Sequence, residues 1–269
     1  MAKGRKLNIP VVKGAVMGVL GLATAFAFAL AGIGAQVAAA PMIHFLLGFD
    51  EQKTRGTALG FAMLAAVGGV IGFIVGGSHL DFGLALVLAV GATIGTILAA
   101  KPATEPRYAI VRRAGQSIGI VVAIYVFGEA MRHHVGGPQP WFPALTHVQP
   151  LLAGLVLGIV TGAISSLLQV ANGILLVPAL IYLPGLDPPR SIAVSLAVIA
   201  LASFLPALSY ASREAVDRRI GPWMAIAGLG GGLTAGLLLA RMTFASPLPL
   251  IAFALVSMFL CAWRMWKMT

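Results

Sequence analysis

Charge is scarce in this chain. Only 10% of its 269 residues are Asp, Glu, Lys or Arg, where a soluble domain carries about a quarter. That excludes a water-soluble globule, whose surface cannot be covered with so few charged groups. Cysteine is nearly missing as well, and the lone Cys261 excludes an internal disulfide. There are eight acids, most of them between apolar stretches. No His-Glu-x-x-His, Cys-x-x-Cys or Gly-x-Ser-x-Gly pattern occurs, so no metal or nucleophile–base set is spelled out and the chain does not read as an enzyme. Without a P-loop it does not read as an ATP-driven pump either, and no cofactor or metal is expected.

What is present is apolar. Hydrophobic residues make up 59% of the chain and mean hydropathy is +0.97, the composition of an integral membrane protein. Apolar segments at 11–47, 56–77, 82–100, 109–130, 150–185, 191–211, 221–240 and 246–263 leave no room for a soluble domain, since each spanning helix needs about 20 residues. No cleaved signal peptide is expected, because Met1–Lys6 (MAKGRK) leads into an apolar stretch without a small-residue cleavage site. A net charge of +10 would suggest nucleic acid in a soluble protein. Here the basic residues flank apolar segments, which is a topology signal and not a nucleic-acid surface.

The chain repeats itself. VLGLATAFAFALAGIGAQVAAAP and VLGIVTGAISSLLQVANGILLVP lie 137 positions apart, and the offset continues without a gap through Pro41/Pro178, Gly48/Gly185 and Asp50/Asp187. The first and fifth segments, which contain these copies, are too long for one crossing: 37 helical residues would run about 55 Å, nearly twice the hydrocarbon core. Each is expected to turn back at Gly32-Ile33-Gly34-Ala35-Gln36 or Gln169-Val170-Ala171-Asn172-Gly173, where glycines and amides interrupt the apolar run. Glycine–acid turns at Leu47–Asp50 and Leu183–Asp187 end the pieces that follow.

Positive-inside counting supports the turning back. If each long segment returns to its starting side, only Arg132, Arg190 and Arg241 of the 18 basic residues lie outside, a 15 to 3 split. Single crossings give 10 to 8, almost no bias. An odd number of net crossings in the first half then inserts the second half upside down. The expected architecture is therefore all-α: two inverted repeats of about five membrane segments each, with broken or re-entrant helices at the start of each repeat. The first repeat covers 1–130, an extracytoplasmic linker 131–149, and the second repeat 150–269. The protein is expected in the cell (inner) membrane, multi-pass, with both termini cytoplasmic. His133, His134 and His147 in the linker read as an exposed, histidine-bearing loop and not as a ligand set.

A helix break inside lipid exposes backbone groups that cost several kcal/mol each, so it survives only where protein or a water-filled cavity covers it. Two related breaks facing each other predict a polar chamber, with half-helix N-termini that suit an anion. The candidate substrate-binding residues are Gln36, Asn172, Gln169, Gly34, Gly173, Thr57, Ser195 and Ser166. Amides and hydroxyls without a central charge would hold a small anion loosely. Thr24, Thr161, Ser165 and Ser166 also have a plain packing role available. His44 reads as a hydrogen-bonded helix contact, and Arg55 and Arg190 as interfacial side chains that could draw anions to each mouth. Glu129 and Asp81 lie near membrane faces, which disfavours a cation-coupled site.

The glycine-broken first helix running into a proline-marked piece carries a resemblance. So do the helix openings Gly56-Thr57-Ala58-Leu59 and Ala193-Val194-Ser195-Leu196, the loops before Asp81-Phe82 and Pro222-Trp223, and the glycine steps Gly91/Gly95 and Gly232/Gly236. Together they resemble the TauE/SafE family of sulfite and organosulfur anion exporters, over nearly the whole chain. The resemblance implies export or exchange of sulfite, a sulfonate or a related small anion, driven by the membrane potential or a proton gradient. Proton coupling and a homodimer are compatible with it. The alternatives are cation-coupled uptake of a small organic anion and a non-transporting membrane scaffold.

Overall fold

The apolar runs fold as helices throughout. The computed structural model describes residues 10–104, 109–132, 150–168, 171–212, 216–217, 220–242 and 248–268. Among the described residues there are ten helices: α1 (Pro10–Leu30), α2 (Gln36–Leu47), α3 (Glu51–Val75), α4 (Phe82–Thr104), α5 (Ala109–Arg132), α6 (Pro150–Leu168), α7 (Asn172–Tyr182), α8 (Pro188–Ser212), α9 (Gly221–Arg241) and α10 (Leu248–Met268). Five of them, α3, α4, α6, α8 and α9, are long and apolar enough to cross a membrane. Most of the linker 131–149 and the basic residues Arg213, Arg218 and Arg219 lie outside the described residues.

The long first segment breaks where its glycines stand. The N–H of Gly32 bonds the carbonyl of Ala29 and that of Ile33 bonds Phe28, which ends α1 in a Schellman turn. Gly32 takes φ +68°, and a β-carbon there would also meet Val177 Cγ2 at 3.0 Å and Ile192 Cα at 3.3 Å. Conformation and space both require glycine. The second break follows Leu168, and α7 starts at Asn172. At 12 and 11 residues, α2 and α7 are about 18 and 16 Å long, roughly half the hydrocarbon thickness. Both contain a proline, Pro41 and Pro178, and both lead to a left-handed glycine, Gly48 at φ +67° and Gly185 at φ +77°.

Small residues set the helix directions. A β-carbon on Gly232 or Gly236 of α9 would lie 1.9 or 2.0 Å from the carbonyl oxygens of Ala65 and Gly69, so α3 and α9 run parallel with their backbones in contact. On α4, Gly91 and Gly95 meet the carbonyls of Leu155 and Ile159, so α4 and α6 are also parallel. Helix α1 runs parallel to α9, from Gly14 against Trp223 to Leu22 and Ala25 against Gly231. Helices α3 and α8 are antiparallel: Glu51 and Arg55 at the start of α3 share a cavity with Pro206 and Tyr210 near the end of α8. Such close crossings fit a membrane interior, where packing and not hydrophobicity joins helices.

One sequence match shifts in space. Gly91/Gly95 and Gly232/Gly236 look equivalent by spacing, yet the first pair packs on α6 and the second on α3. The residue that sits on α1 (Leu22 O, Phe26 N) as Gly95 sits on α6 (Ile159 O, Ala163 N) is Gly231. The offset is thus 136 from α4 to α9, one less than the 137 between the broken segments. The acids ahead of these helices agree: Asp81 Oδ1 accepts from Leu84 N at 2.9 Å and Asp217 Oδ1 from Ile220 N at 3.0 Å.

Candidate functional site

The two breaks touch. A β-carbon on Gly173, the second residue of α7, would lie 2.2 Å from the carbonyl oxygen of Gly32 and 3.0 Å from Ile33 Cα. The same Gly32 oxygen accepts a 2.8 Å hydrogen bond from Ser195 Oγ of α8, and Ser195 is fully buried. The chain thus seats one interrupted backbone on the other and pairs an exposed carbonyl with a hydroxyl, as the low-dielectric interior demands. The contact lies level with the midpoints of α3 and α8, since the adjoining void is lined by Ala62, Ala65 and Ala66 of the one and Leu196 and Ile199 of the other.

Both half-helices begin here without a side-chain cap: Ala35 precedes α2 and Ala171 precedes α7, and neither supplies one. Their first residues are the amides. Gln36 Oε1 and Asn172 Oδ1 are buried atoms with no hydrogen-bond partner, and the Gln36 amide folds over Gly34, 2.8 Å from where a β-carbon there would stand. Uncapped helix starts carry partial positive charge and free donors. A carboxamide adds an acceptor oxygen or, on rotating, an NH₂ donor.

Of the expected site residues, Gly34, Gln36, Asn172, Gly173 and Ser195 come together at this junction. Ser166 is half-buried on α6, two positions before the helix's last residue. Gln169 lies outside the described residues. Thr57 stands apart: it is buried, its Oγ1 accepts from Asp217 N at 3.3 Å, and it lines a cavity towards the start of α3. Gly32 was missed as a contact residue, although its place in the broken run is legible. Thr24, Thr161 and Ser165 bond carbonyls of their own helices, the packing role. His44 bonds Phe49 O at 2.9 Å and is exposed.

The water-filled chamber expected at the breaks is closed in this structure. A void of about 170 Å³ beside Ile33, Gly34 and Ala35 is too narrow to admit a water molecule. The reason is side-chain size: alanines from α1 and α3 let the backbones close up, and Gly173 sits on Gly32. Open space lies towards the face where α3 begins. One cavity of about 530 Å³ is lined by Glu51, Arg55, Ser209 and Tyr210, among others. Another, of about 470 Å³, is lined by Thr57, Gly60, Phe61, Asp217 and Ala225, among others.

Charge sits at the helix starts. Arg55 pairs with Glu51, both well exposed. At the start of α8, Arg190 Nε lies 3.6 Å from Asp187 Oδ1. Burial pushes the Asp187 carboxyl above its ordinary value, and Arg190 opposes the shift. Among the described residues no group of three or more His, Cys, Asp or Glu could hold a metal ion.

Helices long and apolar enough to span, with two shorter ones whose starts meet at mid-length, define a multi-pass membrane protein with interrupted helices, the build of a membrane transporter. The family model "Sulfite exporter TauE/SafE" matches residues 109–265, more than half of the chain. The protein belongs to that family of membrane transporters. It is similar to two proteins of Xylella fastidiosa, each called a probable membrane transporter protein. The one from strain 9a5c is 22% identical over 246 residues, covering 90% of this chain and 91% of the relative. The one from strain Temecula1 is 24% identical over 255 residues, with the same coverage. No solved structure matches the chain.

Proposed function

We propose that the protein is a secondary transporter that exports or exchanges a small anion, sulfite or an organosulfonate, by alternating access around the junction of the two breaks. The observation that carries this reading is the meeting of two uncapped half-helix starts at mid-length, with the buried amide oxygens of Gln36 and Asn172 unpartnered beside them. An oxyanion there would accept from helix N-terminal N–H groups and rotated amides without needing a buried cation. The family supports the substrate class. Cation-coupled uptake would call for carboxylates at the centre, and Asp81, Asp187 and Asp217 instead stand before the starts of α4, α8 and α9. Neither proton coupling nor a dimer is part of the proposal.

The halves are read as inverted repeats, residues 1–130 and 150–269 joined by an extracytoplasmic linker. Helices α1, α3 and α9 share one direction, and α8 opposes α3, its counterpart at offset 137. The packing pairs exchange in the same sense: α1 on α9 with α6 on α4, and α2 on α3 with α7 on α8. The break lies level with mid-α3 while α2 ends three residues before α3 begins, which fits a re-entrant hairpin. On the charge split, the start of α3 and both termini are read as cytoplasmic and the protein as one of the inner membrane.

The test is competitive uptake into proteoliposomes with sulfite, sulfate, thiosulfate, sulfoacetate, taurine and carboxylates. Sulfite or a sulfonate should compete best, and Gln36→Ala or Asn172→Ala should raise the half-saturating concentration several-fold while the protein stays folded. Absence of flux for all these solutes would favour the scaffold reading.

A further inference from the structure

The cavity of about 530 Å³ at the start of α3 lies on the side of that helix that leads to the junction of the breaks. Its α3 wall includes Glu51 and Arg55, and the small void at the junction is lined on the same helix by Ala62, Ala65 and Ala66. Steps of three and four residues along a helix stay on one face. Glu51, Arg55, Ala58, Ala62 and Ala65 are spaced by four, three, four and three. On α8 the cavity is walled by Tyr210 and Pro206 and the void by Ile199 and Leu196; with Ser203 between them, these are spaced by four, three, four and three as well. The two helices pack on one another antiparallel, so the two stripes face along one seam. Ala58, 1% exposed, and Ser203, 7% exposed, fill its middle. From Arg55 to Ala62 the rise is about 10 Å. The second cavity at this end, lined by Thr57, Gly60, Phe61 and Leu64 among others, lies on the opposite face of α3.

The polar groups at this end are not a requirement of the repeat. At offset 137, Glu51 and Arg55 correspond to Pro188 and Ile192, and Pro206 and Tyr210 to Gly69 and Phe73. All four counterparts are buried and none has a polar side chain. Resting on the transport reading above, we infer that the cavity is an outer anion site, from which the substrate passes along the α3/α8 seam between Ala58 and Ser203 to the junction. Arg55 supplies the positive charge, and the hydroxyls of Ser209 and Tyr210 in the facing wall supply donors. Glu51 pairs with Arg55 and is the competitor that an arriving anion displaces; an exposed pair of this kind is weak and yields. Ser203 offers a hydroxyl midway. Lipid headgroup phosphates share this chemistry, and the composition of the vesicles in the test separates the two sources.

The test uses the full chain carrying Cys261→Ala in vesicles of phosphatidylcholine alone, with sulfoacetate as the probe because sulfite itself reacts with thiol reagents. Arg55→Gln should raise the half-saturating concentration for sulfoacetate flux at least five-fold, and Glu51→Gln should lower it at least two-fold. Loss of a merely structural ion pair would move both variants the same way, and that result would overturn the site. Labelling needs no flux. Ser209→Cys should react with an anionic methanethiosulfonate several-fold faster than the same variant carrying Arg55→Gln, and sulfoacetate should slow only the first. Gly60→Cys, on the opposite face of α3, should respond to neither change. Insensitivity of Ser209→Cys to both would overturn the proposal. So would an Arg55→Gln effect that appears only when phosphatidylglycerol is added, the mark of a headgroup site. Modification of Ser203→Cys should cut flux at least ten-fold; full flux after complete modification would remove the seam as the route. Labelling that follows this pattern in protein that moves no sulfoacetate would uphold the anion site and count against the transport reading.

Discussion

Gly173 and Ser195 carry the junction through one atom, the carbonyl oxygen of Gly32. Gly173→Ala would drive a methyl group to 2.2 Å from that oxygen, and forced overpacking of this kind costs about 1–3 kcal/mol. The expected outcome is a lower Tm in detergent together with loss of flux. Ser195→Ala leaves the carbonyl buried and unpaired, a loss of about 1–3 kcal/mol; Ser195→Thr, which keeps a donor, should recover part of it if the pocket takes the methyl. An unchanged Tm in Ser195→Ala would remove the hydrogen bond from the account. At the other helix start Asp187 gives a pH signature. Its carboxyl titrates above the ordinary range when folded, so the native state binds the proton more tightly than the unfolded chain. Stability is therefore fullest below the ordinary carboxylate range and declines as pH rises through the raised one. Tm should fall over that window in the parent protein, and Asp187→Asn, which can still cap a helix, should flatten the slope. At this scale the sequence told where the amides and glycines stand, because each breaks an apolar run. It did not tell that Gly32 and Ser195 meet, since a contact 163 positions apart leaves no mark in a single chain.

The helices show why small residues are where they are. Gly232 sits with its α-carbon against Ala65 O, and a β-carbon there would stand 1.9 Å from that oxygen. Gly60 on the facing helix has open space around it. The same substitution should thus have opposite signs: Gly232→Ala lowers Tm through forced separation of α3 and α9, while Gly60→Ala raises Tm by adding up to about 1 kcal/mol of stability through helix propensity. Equal effects at the two positions would contradict the packing described. Helix number, the two breaks and the glycine ends of α2 and α7 were legible in the sequence, because length against bilayer thickness and glycine against apolar background are strong signals. The register of α4 against α9 was not. Glycines four apart recur on any closely packed membrane helix, so Gly232/Gly236 mimic Gly91/Gly95 while serving a different neighbour. The closed state of the junction was also hidden, because sequence shows which residues line a pathway and not which conformation fills it.

Across the whole molecule, direction is the organising property. Charge placement alone favoured two halves inserted oppositely, 15 basic residues to 3; in the structure α3 and α8 run antiparallel, α1 packs on α9 and α6 packs on α4. The proposed re-entrant half-helices and the proposed anion site between helix starts both depend on that opposition. Single cysteines at Gln52 and Arg190, exposed residues at the starts of α3 and α8, test it most directly. In a Cys261→Ala background, Gln52→Cys and Arg190→Cys are labelled in sealed, uniformly oriented vesicles with a maleimide that does not cross the membrane. The account predicts that one reacts only from inside and the other only from outside. Reaction of both from the same side would contradict it.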